Sequence, residues 1–291
     1  MEGPLHYFKT DHTDARTPYQ DLYIYYVEGR LGREQEVLLG PHFLGNWIED
    51  GSSFLFFSRP THDLVKGIVD TDRELRLVDE FHFTYDEWQG GKIEPFEVPP
   101  FVIVPPWEDR RDLNRGIKIV LDPGVVFGTS LHPTTRGCLS ALATAYGRRS
   151  IDRVLDLGTG TGILAIAAAL LGAKYVLAVD INPLAVKTAS ANVRLNALES
   201  RIEVREALAE ETSEHASDLL IANISYDIIS TIIRGDGFLQ KKWFILSGLM
   251  RSQAEDIRSA LSECPAEILD EWNHEMVWYT FLGRMRGSND E

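Results

Sequence analysis

From residue 153 onward, short runs rich in Val, Leu and Ile alternate with longer stretches of helical period, the pattern of a parallel sheet covered on both faces. Residues 153–157, 175–180, 202–205, 219–224 and 243–246 read as strands. Residues 163–171, 183–196 and 252–261 read as helices, the second with Pro183 in its first turn, where a missing N–H costs nothing. The rhythm then breaks. The runs 267–272 and 277–282 lie too close together for a parallel crossover, which takes about a dozen residues, so they should pair as an antiparallel hairpin.

The first hundred residues carry a different pattern. Residues 23–27, 43–48 and 53–57 read as short strands, with Asp50-Gly51 as a turn between the last two. Pro99, Pro100, Pro105 and Pro106 then punctuate the chain and disfavour a helix. The expected organisation is a small β-rich domain over 1–98, a stiff Pro-rich connection over 99–120 and an α/β domain over 121–285. The end should fray from about residue 284, with a disordered tail over 286–291.

Composition narrows the field. With 44% hydrophobic and 25% charged residues, the 291-residue chain can bury a large core and a smaller one. The apolar stretch 163–173 is about half of the roughly 20 residues that span a bilayer, and no basic-then-apolar leader opens the sequence. No membrane association or export is expected. Cys138 and Cys264 stand alone, without disulfide or zinc spacing, which suits a reducing cytoplasm. A net charge of −15 would repel a phosphate backbone, so direct nucleic-acid binding is not expected, whereas a basic protein or an amine would be attracted.

The candidate chemistry centres on Asp156-Leu157-Gly158-Thr159-Gly160-Thr161-Gly162, placed between a predicted strand and a predicted helix. Gly158, Gly160 and Gly162 allow a tight turn whose amides approach a ligand closely. The spacing is G-x-G-x-G, not the G-x-G-x-x-G of dinucleotide binders, which argues against a nicotinamide-linked oxidoreductase. Asp156 would suit an ammonium group, and Asp180, at the end of the next strand, could accept both hydroxyls of a ribose. A ligand with a ribose and a cationic amino-acid part but no pyrophosphate is S-adenosylmethionine.

Two further segments flank this turn. Upstream stands Leu121-Asp122-Pro123-Gly124-Val125-Val126-Phe127-Gly128-Thr129-Ser130-Leu131-His132-Pro133-Thr134-Thr135, and downstream Leu246-Ser247-Gly248-Leu249-Met250-Arg251-Ser252-Gln253. With the glycine turn and the Asn223-Ile224 pair, the sequence resembles the PrmA family over about residues 101–285. These are bacterial methyltransferases that modify amino groups of ribosomal protein L11. The resemblance implies a class I S-adenosylmethionine-dependent methyltransferase fold, Rossmann-like and mostly parallel, and implies that Thr135, Gly158, Asp180 and Asn223 contact the cofactor. It also implies a basic ribosomal protein as acceptor.

Each position has a physical reading beside the resemblance. The Thr135 hydroxyl either binds the methionine carboxylate or caps a helix. Asn223 ends a strand at the ligand edge of the sheet, where its side-chain carbonyl can accept a hydrogen from an attacking amine, making it the candidate catalytic residue. Asn223-Ile224-Ser225-Tyr226 is similar to the Asn-Pro-Pro-Tyr of many amine methyltransferases, with Ile-Ser for Pro-Pro. His132 reads as ordering a loop over the cofactor more than as a base, and Phe127 as a packing residue. Glu206, Glu210, Glu211 and Glu214 read as a solvated face, Trp272 and Trp278 as hairpin core. Ser130-Leu131-His132 stands where the family has Gly-Thr-His, and residues 1–98 match no family motif. A different protein or small-molecule amine, or a non-catalytic module that binds the cofactor, therefore stays open as an alternative.

Overall fold

The computed structural model describes residues 20–108, 116–126 and 132–287. The N-terminal unit runs β1 (Asp21–Glu28), α1 (Arg33–Val37), β2 (Phe43–Glu49), β3 (Ser52–Phe57), α2 (His62–Val69), β4 (Arg76–Thr84) and α3 (Tyr85–Gln89). Three short strands follow, β5 (Phe96–Val98), β6 (Phe101–Val104) and β7 (Ile117–Val120), and then the long helix α4 (Pro133–Arg148). The larger unit continues as β8 (Arg153–Leu157), α5 (Ile163–Leu171), β9 (Tyr175–Asp180), α6 (Pro183–Leu195), β10 (Ile202–Glu206), α7 (Ala209–Thr212) and β11 (Leu219–Asn223). It ends with α8 (Tyr226–Ile232), α9 (Asp236–Leu239), β12 (Trp243–Met250), α10 (Arg251–Ser262), β13 (Ala266–His274) and β14 (Trp278–Met285).

The main sheet has seven strands in the order β10-β9-β8-β11-β12-β14-β13. The first five are parallel, and β14 is antiparallel to both of its neighbours, as the short spacing of the last two runs demanded. Interior strands are buried on both sides: Leu219, Leu220, Ile221 and Ala222 of β11 are all 0% exposed. That is why they read as continuous apolar runs and not as alternating ones. One face packs against α4 and the Ala-rich α5, the other against α8, α9 and α10. From β8 the chain moves to β9 and β10 on one side and then returns to β11 and β12 on the other, so the strand order switches at β8 and the carboxyl ends of β8, β9 and β11 open onto one crevice.

Three differences from the sequence reading have physical causes. Where a plain Pro-rich connection was expected over 99–120, β6 and β7 form a three-stranded sheet with β5; all four residues of β6 are buried, so the prolines bracket a strand. The strand expected to stop at 246 continues to Met250, because a bulge between Ser247 and Leu249 re-aims it past Gly248. Fraying from residue 284 is not seen at the described positions: the Met285 amide donates to the Lys242 carbonyl at 3.0 Å and the side chain is 4% exposed. Phe127 and the end of the tail, 288–291, lie outside the described residues.

The N-terminal sheet, antiparallel in the order β2-β3-β1-β4, sits against α6. Gly45 of β2 makes the close approach possible, since a Cβ there would fall 2.3 Å from Leu184 Cδ1. Leu22, Ile24, Phe56 and Tyr85 form one buried cluster with Leu184, Ala185, Val125 and Val126.

Candidate active site

The glycine turn joins β8 to α5 and is held from three sides. Gly158, Gly160 and Gly162 all have positive φ (69°, 55° and 83°), a conformation that other residues adopt at a cost. A Cβ on Gly158 would fall 2.1 Å from Ile224 Cγ2, and one on Gly162 would meet Ala189 of α6 at 3.2 Å. Gly160 has nothing within 4 Å of its Cβ position, so that side of the turn is open.

Polar staples fix the rest of the turn. The Thr159 hydroxyl donates to Asp156 Oδ2 at 2.6 Å, and the Thr159 amide donates to the Val179 carbonyl at 2.9 Å. The Gly160 amide donates to Asp180 Oδ2 at 3.0 Å, while Asp180 Oδ1 accepts from the Asn182 amide at 2.9 Å. Each carboxylate oxygen of Asp180 keeps a further lone pair for a hydroxyl. Burial raises the Asp180 pKa, opposed by those amides.

Above the turn lies a cavity of about 360 Å³, lined among others by Thr135, Gly158, Thr159, Gly160, Thr161, Asn223, Ile224 and Trp278. The structure thus brings Thr135, Gly158, Gly160 and Asn223 together, and places Asp180 one hydrogen bond away. Two expected cofactor residues stand elsewhere. Gly162 is buried under α6, where it permits helix-to-turn packing. Asp156 is 1% exposed beneath the turn, its Oδ1 without a hydrogen-bond partner and its pKa pushed up to about 6, chiefly by burial. It therefore faces Thr159 rather than the cavity.

The helix α4 forms the opposite wall. His132 is its N-cap: Nδ1 accepts from the Thr134 amide at 3.4 Å and lies 2.8 Å from Thr134 Oγ1. Thr135 is the third residue of the helix and does not cap it; it is 5% exposed and lines the cavity. His132 also sits edge-on to Trp278, ring centroids 5.1 Å apart, and burial followed by the neighbouring His274 lowers its pKa.

The floor of the cavity is formed by the end of β11 and the residues that follow it. Gly248, at φ 84°, approaches it so closely that a Cβ would fall 2.6 Å from the Ile224 carbonyl and 3.4 Å from Asn223 Oδ1. The bulge in β12 thus sets a residue without a side chain beside the Ile224 carbonyl and Asn223 Oδ1, and all three residues line the cavity. Trp278, read from sequence as hairpin core, instead lines this cavity and a second one of about 170 Å³ between α4 and the hairpin, which Trp272 also lines. Trp278 comes there because it pairs with Met250 at the carboxyl end of β12, a register that spacing along the sequence does not reveal. Glu206, Glu210, Glu211 and Glu214 are exposed and take no part.

The family model described as ribosomal protein L11 methyltransferase (PrmA) matches residues 74–286. A ribosomal protein L11 methyltransferase from Clostridium botulinum (strain Eklund 17B / Type B) is 36% identical over 230 residues, 77% of this chain and 69% of that protein. One from Caldicellulosiruptor bescii is 40% identical over 187 residues, 64% of this chain and 60% of that protein. A crystal structure of ribosomal protein L11 methylase from Lactobacillus delbrueckii subsp. bulgaricus superposes with a TM-score of 0.59 at 30% identity, covering 67% of this chain and 100% of that one. The glycine turn, the strand order with its antiparallel end hairpin and the match over most of the chain agree: the chain belongs to the ribosomal protein L11 methyltransferase (PrmA) family of S-adenosylmethionine-dependent methyltransferases.

Proposed function

We propose that this protein methylates amino groups of ribosomal protein L11 in the cytoplasm, with the Thr135–glycine-turn cavity holding the cofactor and the Asn223–Ile224 edge orienting the amine. The observation that carries this reading is one cavity lined by both the glycine turn and the end of β11. The residues suit the cofactor: positive-φ glycines leave the turn open at Gly160, and Asp180 presents two acceptor oxygens beside it. Thr135, Gly158, Gly160 and Asp180 would hold it, while Asp156 and Gly162 shape the turn. When bound, the cofactor supplies an electrophilic sulfonium methyl group.

The chain's own task is to present a neutral amine in line. A lysine amine has an ordinary pKa near 10.4. Among the described residues lining the cavity the sole titratable side chain is His132, so an ammonium entering it loses hydration without meeting a carboxylate in that lining. That environment lowers an amine's pKa. Asn223 Oδ1 and the Ile224 carbonyl then accept its N–H groups and aim the lone pair, an alignment that supplies several kcal/mol in well-oriented systems, up to roughly 7–11. The amine enters past Trp278 from the groove between α4 and the hairpin.

The acceptor rests on the family resemblance, and the N-terminal unit over 1–98 is assigned its capture. Residues 20–73 precede the family match, which favours as second reading an acceptor other than L11. Labelled methyl transfer to purified L11, beside extract from cells lacking this protein, separates the readings. Label in L11 supports the first; label only in another extract component supports the second. Among the described residues no helix is long and apolar enough to cross a membrane.

A further inference from the structure

We propose that Asn192 is a positioning residue for methyl transfer, through which the N-terminal unit sets the shape of the cofactor turn. The inference rests on the cofactor reading given above. Asn192, on α6, is 0% exposed. Its Oδ1 accepts from the Asp122 amide at 2.8 Å, and its Nδ2 donates both to the Asp122 carbonyl at 2.8 Å and to the Thr161 carbonyl at 2.9 Å. Thr161 lines the cavity. One side chain thus joins the glycine turn to the chain leaving β7.

The join has a second rung and a far end. One helical turn on, Asn196 Oδ1 accepts from the Val120 amide at 2.9 Å and its Nδ2 donates to the Val120 carbonyl at 2.7 Å. Spaced four residues apart, Asn192 within α6 and Asn196 just past its end, the two asparagines pair with the backbone of Asp122 and Val120 as a neighbouring strand would. Beyond Asp122 the chain turns at Gly124, whose amide donates to Asp122 Oδ1 at 2.9 Å. The Gly124 carbonyl accepts from Tyr85 Oη at 2.9 Å and from Gln89 Nε2 at 2.8 Å, both on α3 of the N-terminal unit. Tyr85, Gln89 and Asn192 are 1%, 5% and 0% exposed, so the donors at both ends of this path are buried, while Asp122 and Gly124 between them are half-buried.

Burial makes the path act as a unit. The Asn192 side chain, 0% exposed, incurs a desolvation penalty if its bonds to Asp122 or Thr161 break, so a displacement of the 122–124 backbone is passed through it to the turn. The same helix already abuts the turn at Ala189, against Gly162, and is itself wedged against Gly45 at Leu184. Asn223 and Ile224 lie outside these bonds. The network therefore acts on cofactor binding and spares amine orientation.

The test measures S-adenosylmethionine affinity by calorimetry on the full chain. Tyr85→Phe/Gln89→Leu removes both donors to Gly124 without touching the cavity, and is expected to weaken cofactor binding by about threefold or more, with cofactor KM rising more than kcat falls. Asn192→Asp, near-isosteric but without donors, is expected to weaken it about tenfold or more. Combined, the three substitutions should lose clearly less than the product of the separate losses, as residues in one network do. A loss below about threefold for the α3 pair, or a full product in the combined protein, overturns the inference. Should Asn192→Asp fail to fold by circular dichroism, the α3 pair decides alone. Absence of cofactor binding by the unaltered protein would instead overturn the cofactor reading itself.

Discussion

Gly248 and Ile224 approach each other so closely that the smallest side chain on the glycine would reach 2.6 Å from the Ile224 carbonyl oxygen. Gly248 also has a φ of 84°, so both sterics and backbone strain forbid a Cβ there. Gly248→Ala must push the end of β11 away from the bulge in β12. We expect kcat to fall by about two orders of magnitude, because a displacement near 1 Å at an aligned site costs that much. Single-turnover methyl transfer at saturating cofactor measures it; a kcat within about threefold of the unaltered enzyme would show that this edge does not orient the acceptor.

Asn223 and Asp180 end neighbouring regions of the same sheet edge yet should fail differently. Asn223→Ala leaves the glycine turn and its staples in place, so cofactor affinity should hold within about threefold while turnover drops by at least about a hundredfold. Asp180→Ala removes the acceptor of both the Gly160 and Asn182 amides as well as the proposed ribose partner. Cofactor affinity should fall by about tenfold or more. Calorimetry beside labelled transfer distinguishes the two patterns, and equal losses of affinity would remove Asn223's assignment to the acceptor.

The β8–α5–β9 segment was legible in the sequence because interior parallel strands are unbroken apolar runs and the turn between them needs glycine at fixed places. β6 and β7 were hidden by the prolines that bracket them. The edge strand β4 is exposed along most of its length, so burial wrote no period into it. α4 carries Gly137, Ser140 and Gly147 with Ala141, Ala143 and Ala145, a composition that packs closely but shows little amphipathic stripe. In the site, Asp156 and Asp180 were singled out by type and spacing. That one carboxylate lies under the turn and the other beside it depends on the Thr159 side chain, which sequence spacing does not orient. Trp278 reached the cavity only through the register of β14 on β12.

Asp156 predicts a pH effect with a definite sign. Its folded-state pKa of about 6 stands above the ordinary 3.8, so between these values the folded protein retains a proton that the unfolded chain has released. The residue favours folding below this window and opposes it above, as the buried carboxylate ionises. Asp156→Asn keeps an oxygen for the Thr159 hydroxyl without the charge. It should raise stability at pH 7 by about 1–3 kcal/mol, a gain that shrinks as pH falls through 6 toward 4. Urea midpoints at pH 7 and 4.5 check this; a gain independent of pH would place the titration elsewhere.

Lys241 titrates with the opposite lesson. It is 2% exposed, donates to the His215 carbonyl, and burial lowers its pKa to about 8 from 10.5, against the pull of Glu214. Between these values the unfolded chain binds a proton that the folded one does not, so this residue's cost is full below pH 8 and is relieved as pH rises toward 10.5. Lys241→Met should stabilise the protein at pH 7 by about 1–2 kcal/mol, the lost bond to His215 subtracting from the gain. Thermal midpoints at pH 7 and 9.5 should show the variant's advantage narrowing at the higher pH; an advantage that widens would contradict the assignment.

His132 offers the last test, because a cap and a general base respond differently to asparagine. The ring nitrogen of His132 accepts from the Thr134 amide at the start of α4, and its edge meets Trp278, so the same residue fixes a helix end and one wall of the cavity. Asparagine at an N-cap also accepts such a bond, whereas alanine cannot, and losing a cap costs about 1 kcal/mol. If His132 positions α4, His132→Asn should retain more than about a third of kcat and His132→Ala should lose tenfold or more together with stability. Were it to carry the amine's proton instead, both substitutions would reduce kcat by roughly 10²–10⁴-fold and abolish the acid limb of the pH–rate profile. Burial and His274 lower the His132 pKa, which keeps the imidazole neutral at pH 7 and able to accept the Thr134 amide, so we expect the first pattern.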